Sequence, residues 1–151
     1  MAEGRRRTDA VDERGSGAIA VLIFAVLFLA LAALVVDGGM AISKRERAAD
    51  LAEQAARYAA QDIDVEALRN ATGTEDTAPI NFQNCTGDVR RYLQTAGLST
   101  GDVSASGCDD PNAQEVTVHV QVTYHAMLSA FLFDKDFTAK ATASATNLSG
   151  D

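Results

Sequence analysis

Residues 18–36 read AIAVLIFAVLFLALAALVV and contain no charged and no hydrogen-bonding side chain. As a helix, at about 1.5 Å per residue, this stretch spans roughly 28 Å, close to the ~30 Å hydrocarbon core of a bilayer. A helix on the surface of a water-soluble protein keeps polar residues on one face, whereas this stretch is apolar on every face. It therefore predicts a membrane-spanning helix over residues 16–37, anchored by Ala18, Leu22, Phe24, Phe28, Leu31 and Val36.

A cleaved signal peptide is the alternative interpretation of this stretch. Arginines precede it, and Ala30-Leu31-Ala32 is similar to a cleavage site. The apolar run continues to Val36, however, and it is longer than the usual signal-peptide core of about 7–15 residues. We therefore expect the helix to be retained.

The charge of the chain lies in its second part. The residues up to Arg57 are neutral in sum, and those from Tyr58 onward carry the entire net charge of −8. An acidic surface repels nucleic acid, so a nucleic-acid partner is not expected. We expect residues 70–151 to form one small domain, and residues 1–15 to form a disordered cytoplasmic tail, since they are polar and lack periodicity.

Both cysteines, Cys85 and Cys108, lie in this distal domain, residues 70–151. Two cysteines in a small domain beyond a membrane anchor indicate a disulfide formed in an oxidising compartment, although two free buried thiols are the alternative. The basic residues on the two sides of the apolar run are nearly balanced and do not fix its orientation. On the basis of the cysteines, we expect a single-pass protein of the cell membrane with a cytoplasmic N-terminus and an extracytoplasmic distal domain.

Residues 38–69 continue in a helical, alanine-rich pattern that predicts an amphipathic stalk. Its apolar stripe consists mostly of small side chains, which allow close helix packing but bury little area. The stripe covers the domain's own sheet or faces another subunit, and the sequence leaves both possibilities open. At the membrane boundary, the two glycines kink the helix or admit a second helix. The candidate packing residues are Asp37, Gly38, Gly39, Ala48, Leu51, Ala52, Ala55 and Ala59.

The distal domain has two clear strand patterns. Glu115–His125 alternates mostly valines with polar residues, and Phe137–Thr146 alternates mostly alanines with polar residues. The small alanines indicate that a helix packs closely on the second strand. The apolar connection, residues 126–133, either fills the core or is exposed, and we expect it in the core because exposed apolar loops favour aggregation.

Two shorter elements are predicted before these strands. Asp88 is expected to cap a helix from Val89 to Ala96 that stops at Gly97. Residues 102–106 are expected to form a first short strand. The fold class is then α+β: a long N-terminal helix followed by a small domain with one short helix and an antiparallel sheet of about three strands.

No catalytic or metal-binding arrangement stands out in the sequence. His119 and His125 share one face of a strand but lie roughly 20 Å apart at ~3.3 Å per residue, too far to bind one metal. The sequence contains no phosphate-loop, nucleophile-elbow or zinc-protease motif. It therefore favours an interaction or structural protein over an enzyme, with no metal, cofactor or small-molecule substrate.

Three features together resemble the TadE/TadG-like proteins, which are single-span envelope proteins of tight-adherence (Flp) pilus systems. These features are Arg14-Gly15-Ser16 before the apolar run, Val36-Asp37-Gly38-Gly39 after it, and the helix KRERAADLAEQAARYAAQDID. The variant that the chain is similar to is the actinobacterial type. The resemblance covers residues 14–69 and extends more loosely over residues 87–146, where the distal strands are similar to the family's C-terminal β-region.

The resemblance implies a minor pilin-like assembly component that works through contacts with other pilus subunits or with further copies of itself. Pilins that a prepilin peptidase cleaves usually carry Glu at the fifth residue after a glycine cleavage point. That position holds Ala20 after Gly15, or Leu22 after Gly17. A permanently anchored role is therefore expected in preference to a polymerised pilin.

Two other function classes stay open at this point. The first is a membrane-anchored extracytoplasmic module that binds a ligand or senses a signal, which an exposed apolar surface at residues 126–133 would favour. The second is a secreted enzyme released by cleavage after Ala32, for which the sequence offers no catalytic residues.

Overall fold

One long helix dominates the fold. The structure, a computed structural model, describes residues 13–70, 78–126 and 135–147. Within these ranges helix α1 runs from Glu13 to Ala60 without interruption. The predicted membrane helix and the predicted stalk are therefore parts of a single helix, which begins within the residues that the sequence assigned to the tail.

The remaining elements are short and follow α1 closely in sequence. The three strands form an antiparallel sheet in the order β1-β2-β3. This arrangement confirms the predicted α+β class with a three-stranded sheet. The elements are α2 (Val65–Asn70), a 3₁₀ turn (Phe82–Asn84), α3 (Cys85–Thr95), α4 (Thr100–Ser104), β1 (Gly107–Asp109), β2 (Glu115–His125) and β3 (Asp136–Thr146).

Strands β2 and β3 pair along their whole length, from Glu115 opposite Thr146 to His125 opposite Asp136. The predicted alternation of β2 is confirmed, because its valines are buried while the residues between them are partly exposed. The same face of β3 carries the buried Ala139 and further alanines that pack against the core. The buried valines are Val116, Val118, Val120 and Val122.

The second half of α1 lies across this inner face of the sheet and contacts both β2 and β3. Its contact stripe is mostly alanine, and small side chains let the helix backbone approach the sheet closely. The packing of a helix on the alanines of β3 is therefore confirmed. The buried residues of α1 are Ala48, Leu51, Ala52, Ala55, Ala56, Ala59 and Ala60.

Helix α1 ends at Ala60, earlier than the end near Leu68 that the periodicity predicts. The reason is the side chain of Asp64, which accepts hydrogen bonds from the backbone N–H groups of Glu66 and Ala67 at 3.0 and 2.9 Å. An aspartate in this position caps a new helix, here α2, and so competes with continuation of the old one. Between the two helices, Ile63 forms a single antiparallel bridge with Ile80.

The prediction for the start of α3 is wrong. The helix begins at Cys85, after the 3₁₀ turn, and Asp88 is a buried residue inside it instead of its cap. The predicted stop is confirmed: Gly97 has a φ of 79°, and the N–H of Leu98 bonds back to the carbonyl of Leu93 at 3.1 Å. This pattern is a Schellman motif, for which glycine is the preferred residue.

Residues 102–106 do not form the predicted strand, because most of them belong to α4. The hydroxyl of Ser99 accepts from the N–H of Asp102 at 3.1 Å and donates to its carboxylate at 2.9 Å. A serine followed three residues later by an acidic residue is a helix-start signal that the strand interpretation overlooked. The first strand, β1, begins just after, at Gly107.

Two predictions fall on residues that the structure does not describe. The disordered tail was assigned to residues 1–15, of which residues 1–12 are outside the described ranges. The core or surface position of residues 126–133 lies outside them as well, except for Ala126, which is buried.

The close contact between α1 and the sheet predicts that a larger side chain is not tolerated there. We expect Ala52→Leu to lower the free energy of unfolding by about 1–3 kcal/mol, because overpacking forces helix and sheet apart. The same change at the exposed Ala49 is the matched control and should have little effect, since alanine and leucine have similar helix propensity. Denaturant unfolding followed by circular dichroism measures both, and equal stabilities of the two variants would contradict the packing.

The disulfide between Cys85 and Cys108 closes a long loop across the small core. Replacing both residues by serine should cost about 3 kcal/mol, chiefly by releasing the unfolded chain. The same unfolding measurement tests this, and the wild-type protein treated with a reductant should match the double variant. An unfolding midpoint that does not change would show that the disulfide contributes nothing to stability.

Candidate functional site

The predicted anchor residues lie on the exposed first half of α1. No residue of the most apolar window of this helix is buried, and it is the one described helix that is long and apolar enough to cross a membrane. Phe28, for example, is 73% exposed, and Leu31 is 53% exposed. In water this surface would be strongly unfavourable, whereas lipid solvates it without cost. Ala18, Leu22, Phe24 and Val36 are exposed in the same way.

The helix continues through its two glycines without interruption. Gly38 and Gly39 are part of the continuous helix α1, and a Cβ atom built on either of them would meet nothing within 4 Å among the described residues. Asp37 beside them is partly buried. The glycines therefore leave a strip of backbone that is open to an approaching chain.

The structure places the alanine stripe inside the chain's own core. Ala48, Ala52 and Ala55 are 0% exposed, and Ala59 and Leu51 are buried with them against the sheet. Of the two possibilities that the sequence left open, the described structure shows the intramolecular one. Ala56 and Ala60, which the sequence stripe omitted, complete this buried face.

The predicted disulfide joins Cys85 at the start of α3 to Cys108 in β1, with their Cα atoms 6.2 Å apart. It fastens α3 to one edge of the sheet. On its other side α3 is held to α1, where the hydroxyl of Tyr92 donates to Gln54 Oε1 at 2.7 Å and the rings of Tyr92 and Tyr58 stack 5.6 Å apart. Helix α3 is thus fastened to the sheet on one side and to α1 on the other.

A buried carboxylate, which sequence reasoning missed, connects α4 to the sheet. Asp102 Oδ1 accepts from the hydroxyl of Thr123 at 2.6 Å, and Ser99 donates to its other oxygen. Burial alone would raise the pKa of Asp102, but the hydrogen bonds from Thr123, Ser99 and Gln121 outweigh it and lower that pKa. The sequence shows that Thr123 lies on the polar face of β2, but it does not indicate that Asp102 of α4 is its partner.

A second buried carboxylate lies between α3 and the end of α1. Burial raises the pKa of Asp88, the nearby carboxylate of Asp62 raises it further, and the guanidinium of Arg91, 3.3 Å away, opposes both. Asn84 also donates to Asp88 at 3.2 Å. These residues, with Tyr58 and Gln61, line a shallow cavity of about 280 Å³.

The two histidines lie on the outer face of the sheet, each beside an acidic residue. His119 Nδ1 is 2.9 Å from Asp109 on β1, and His125 Nδ1 is 2.6 Å from Asp136 on β3. Such pairs link neighbouring strands. Within the described ranges, no group of three or more His, Cys, Asp or Glu side chains converges as metal ligands would.

Comparison with known proteins identifies the long helix. Residues 15–62 match the family model of Flp pilus-assembly TadE/G-like proteins. This segment is TadE/G-like. It coincides with α1 and ends just beyond it, so the match confirms the resemblance on the same residues that suggested it. No curated protein and no solved structure matches the chain.

The matched segment accounts for about a third of the chain, and the elements from α2 to β3 lie outside it. A TadE/G-like segment whose exposed half is apolar fits a membrane component of pilus assembly. The buried alanines of the TadE/G-like helix α1 are part of the hydrophobic core of the distal domain. Its shape therefore depends on a helix that the family model covers.

The carboxylate of Asp102 predicts how stability depends on pH. Its folded pKa lies below the ordinary value for aspartate, so its contribution to stability is fully present above that ordinary value and is lost as the pH falls from there through the folded pKa. Asp102→Asn should therefore be less stable than the wild type at neutral pH and lose less stability on acidification. Thermal unfolding of the full chain in detergent at several pH values measures this.

Asp88→Asn is the matched control, because the pKa of Asp88 is shifted in the opposite direction. Its neutral form is favoured in the fold, so this change should not lower stability at neutral pH. If both variants showed the same dependence on pH, the hydrogen bonds around Asp102 would not be the cause of the acid sensitivity.

Proposed function

We propose that this protein is a single-pass membrane component of a Flp-type pilus-assembly apparatus, with a structural role and no catalytic one. Residues 16–37 anchor it, residues 1–15 form a cytoplasmic tail, and residues 70–151 form an extracytoplasmic domain presented on the stalk. Its partners are other pilus or pilus-assembly subunits, including further copies of this chain. The TadE/G-like match of residues 15–62 supports this assignment.

The observation that carries the proposal is the continuity of α1. The helix passes from the apolar, exposed residues 18–36 into the buried stripe from Ala48 to Ala60 without a break. A continuous helix transmits position and rotation, whereas a flexible linker would release the domain from its anchor. The distal domain is therefore held in a fixed position relative to its anchor, as a part of a larger assembly requires.

The disulfide supports an extracytoplasmic location of the distal domain. Cys85 and Cys108 are bonded in the structure. Disulfides persist in oxidising compartments outside the cytoplasm and are rare inside it. With one membrane crossing, this arrangement leaves the N-terminal tail on the cytoplasmic side.

Other subunits can contact only those surfaces of α1 that are not buried in the chain's own core. The alanine stripe is buried against the chain's own sheet and cannot contact a neighbour without unfolding the domain. The exposed apolar half of α1 and the open strip at Gly38 and Gly39 are accessible. Small residues at a helix surface allow a second helix to approach closely in lipid. We assign subunit contacts to the exposed apolar half of α1 and to the strip at Gly38 and Gly39.

The retained anchor favours an assembly or minor pilin-like role over that of a major filament subunit. Ala20 and Leu22 occupy the positions at which processed pilins usually carry a glutamate. Without it, the helix stays in the membrane as part of the assembly apparatus. The proposal therefore concerns a component that organises other subunits by contact.

Enlarging Gly39 tests whether this strip of α1 contacts other subunits. Gly39→Leu should leave the fold intact, since a Cβ there meets no described atom and glycine is the poorer helix former by about 1 kcal/mol. We expect the variant to lose co-purification with pilus-assembly subunits from native membranes after chemical cross-linking. Gly39→Ala, which adds one methyl group, is the matched control and should retain most of it.

If Gly39→Leu co-purified as well as the wild type, the contact would not lie on this strip. If the wild-type chain co-purified with no pilus-assembly subunit at all, the proposed function itself would be wrong. An anchored binding or sensing module would then be the better interpretation.

A further inference from the structure

Strands β2 and β3 end together at one end of the sheet, just beyond the contact of α4 with Thr123. We call it the hairpin end and define it by Tyr124, His125, Lys135, Asp136 and Phe137. Tyr124 and Phe137 form an aromatic pair with ring centroids 6.0 Å apart, and Phe137 is 39% exposed. The hairpin end thus presents a partly exposed pair of aromatic rings.

The opposite end of the sheet lies beside the end of α1. Ala145 and Asn147 line a shallow cavity together with Arg57 and Ala60. The chain just beyond α1 joins the same region, because Ile63 bridges to Ile80, whose N–H bonds to the carbonyl of Ala113 next to the start of β2. Since β2 and β3 are antiparallel partners, their hairpin end must point back along α1, toward its apolar half.

The length of the strands brings the hairpin end close to the membrane boundary. Strand β3 spans roughly 33 Å at about 3.3 Å per residue, which equals the rise of about 22 helical residues. Measured back along α1 from Ala60, this length ends between Gly38 and Lys44, depending on the angle between strand and helix. The apolar run of α1 ends at Val36. The hairpin end therefore lies near the level of the lipid headgroups.

The chain that joins the two strands leaves and re-enters the described structure at this end. It comprises residues 127–134, whose sequence is MLSAFLFD. This sequence is almost entirely apolar, although it lies between two strands whose outer faces are polar. Among the described residues, Tyr124 and Phe137 are the aromatic residues at this end, and aromatic residues at the level of the headgroups are typical of surfaces that contact a bilayer.

The lysines of the chain are unevenly distributed along the fold. The lysines of the chain are Lys44, Lys135 and Lys140, and all belong to the part of the fold that is closer to the apolar half of α1. At the hairpin end, the carboxylate of Asp136 is paired with His125 at 2.6 Å. The opposite end carries acidic residues, which include Asp62, Asp64, Glu66, Asp109, Asp110 and Glu115, together with Arg57 and Arg69. Lysines at the level of the headgroups attract lipid phosphates.

We propose that the hairpin end is a second membrane contact, which rests on the same bilayer that α1 crosses. Phe137 and Tyr124 lie at the headgroup level, and Lys135 and Lys140 bind lipid phosphates. Two contacts with the bilayer, one through α1 and one through the hairpin end, fix the tilt of the domain, which a single helix leaves free. This inference rests on the membrane anchoring in the proposed function.

Tryptophan fluorescence tests the contact directly, because the chain contains no tryptophan. Phe137→Trp places a single reporter at the hairpin end. Phe82→Trp is the matched control at the opposite end of the domain, since Phe82 is 38% exposed and Phe137 is 39% exposed. Both full-length variants are reconstituted in phospholipid nanodiscs with and without nitroxide-labelled headgroups. We expect the label to remove more than half of the Phe137→Trp emission and to leave the Phe82→Trp emission unchanged.

A third variant separates failure of this inference from failure of the anchor. Phe28→Trp lies in the apolar half of α1 and should be quenched by lipids with brominated acyl chains. If it is quenched while Phe137→Trp behaves like Phe82→Trp, the hairpin end does not touch the bilayer and the inference is wrong. If Phe28→Trp is not quenched either, the membrane anchor and the inference are both wrong.

The charge contribution has its own control. In nanodiscs with anionic lipid, Lys135→Glu on the Phe137→Trp background should reduce headgroup quenching by more than half. Arg69→Glu, an exposed charge reversal in α2 at the opposite end, should leave it unchanged. Equal quenching in the two charge variants would show that lysine–phosphate attraction does not hold the hairpin end at the surface.

Discussion

Every other feature of this protein depends on a single helix that is solvated by two different environments. From residue 18 to residue 36, lipid surrounds the proposed anchor of α1. From Ala48 to Ala60, one face of the same helix is buried in the protein core. Both halves satisfy their backbone hydrogen bonds within the helix. A helix that crosses a bilayer must do so, because lipid offers no hydrogen-bond partners. The transition between them, around Asp37 and the two glycines, is the segment to which we assign the proposed subunit contacts.

The use of alanine for the contact with the sheet has a cost and a benefit. Small side chains bury little apolar area, so the contact contributes little hydrophobic free energy for each residue. They also bring the helix close to the sheet, which limits rotation of the domain about its anchor. The missing stability comes from the valines of β2, the Cys85–Cys108 disulfide and the hydrogen bonds around Asp102. A domain of this size has few other sources of stability.

The proposed functions of the two ends follow from this arrangement. Because the sheet runs alongside α1, the hairpin end faces the proposed bilayer, and the acidic end near Asp62 and Asp88 faces away from it. The hairpin end combines Lys135 with Tyr124 and Phe137, while the far end carries many acidic residues together with Arg57 and Arg69. These surfaces therefore differ in chemistry. We propose that the exposed apolar half of α1 contacts other subunits, that the hairpin end contacts lipid, and that the far end faces the aqueous space.

The sequence by itself determined the elements whose signal is local. The apolar run, the alternating strands and the stop at Gly97 each depend on side chains a few residues apart, so periodicity and turn chemistry were sufficient. The pairing of Cys85 with Cys108 followed because the chain offers no other cysteine. The end of α1 and the helix at Asp102 have local signals, the caps Asp64 and Ser99, which the sequence interpretation overlooked. Only the tertiary structure decided the burial of Asp88 and the contact of Asp102 with Thr123, because these depend on residues far apart in the sequence. It also decided that the alanine stripe faces the chain's own sheet, because a stripe of small residues specifies close packing but not the identity of its partner.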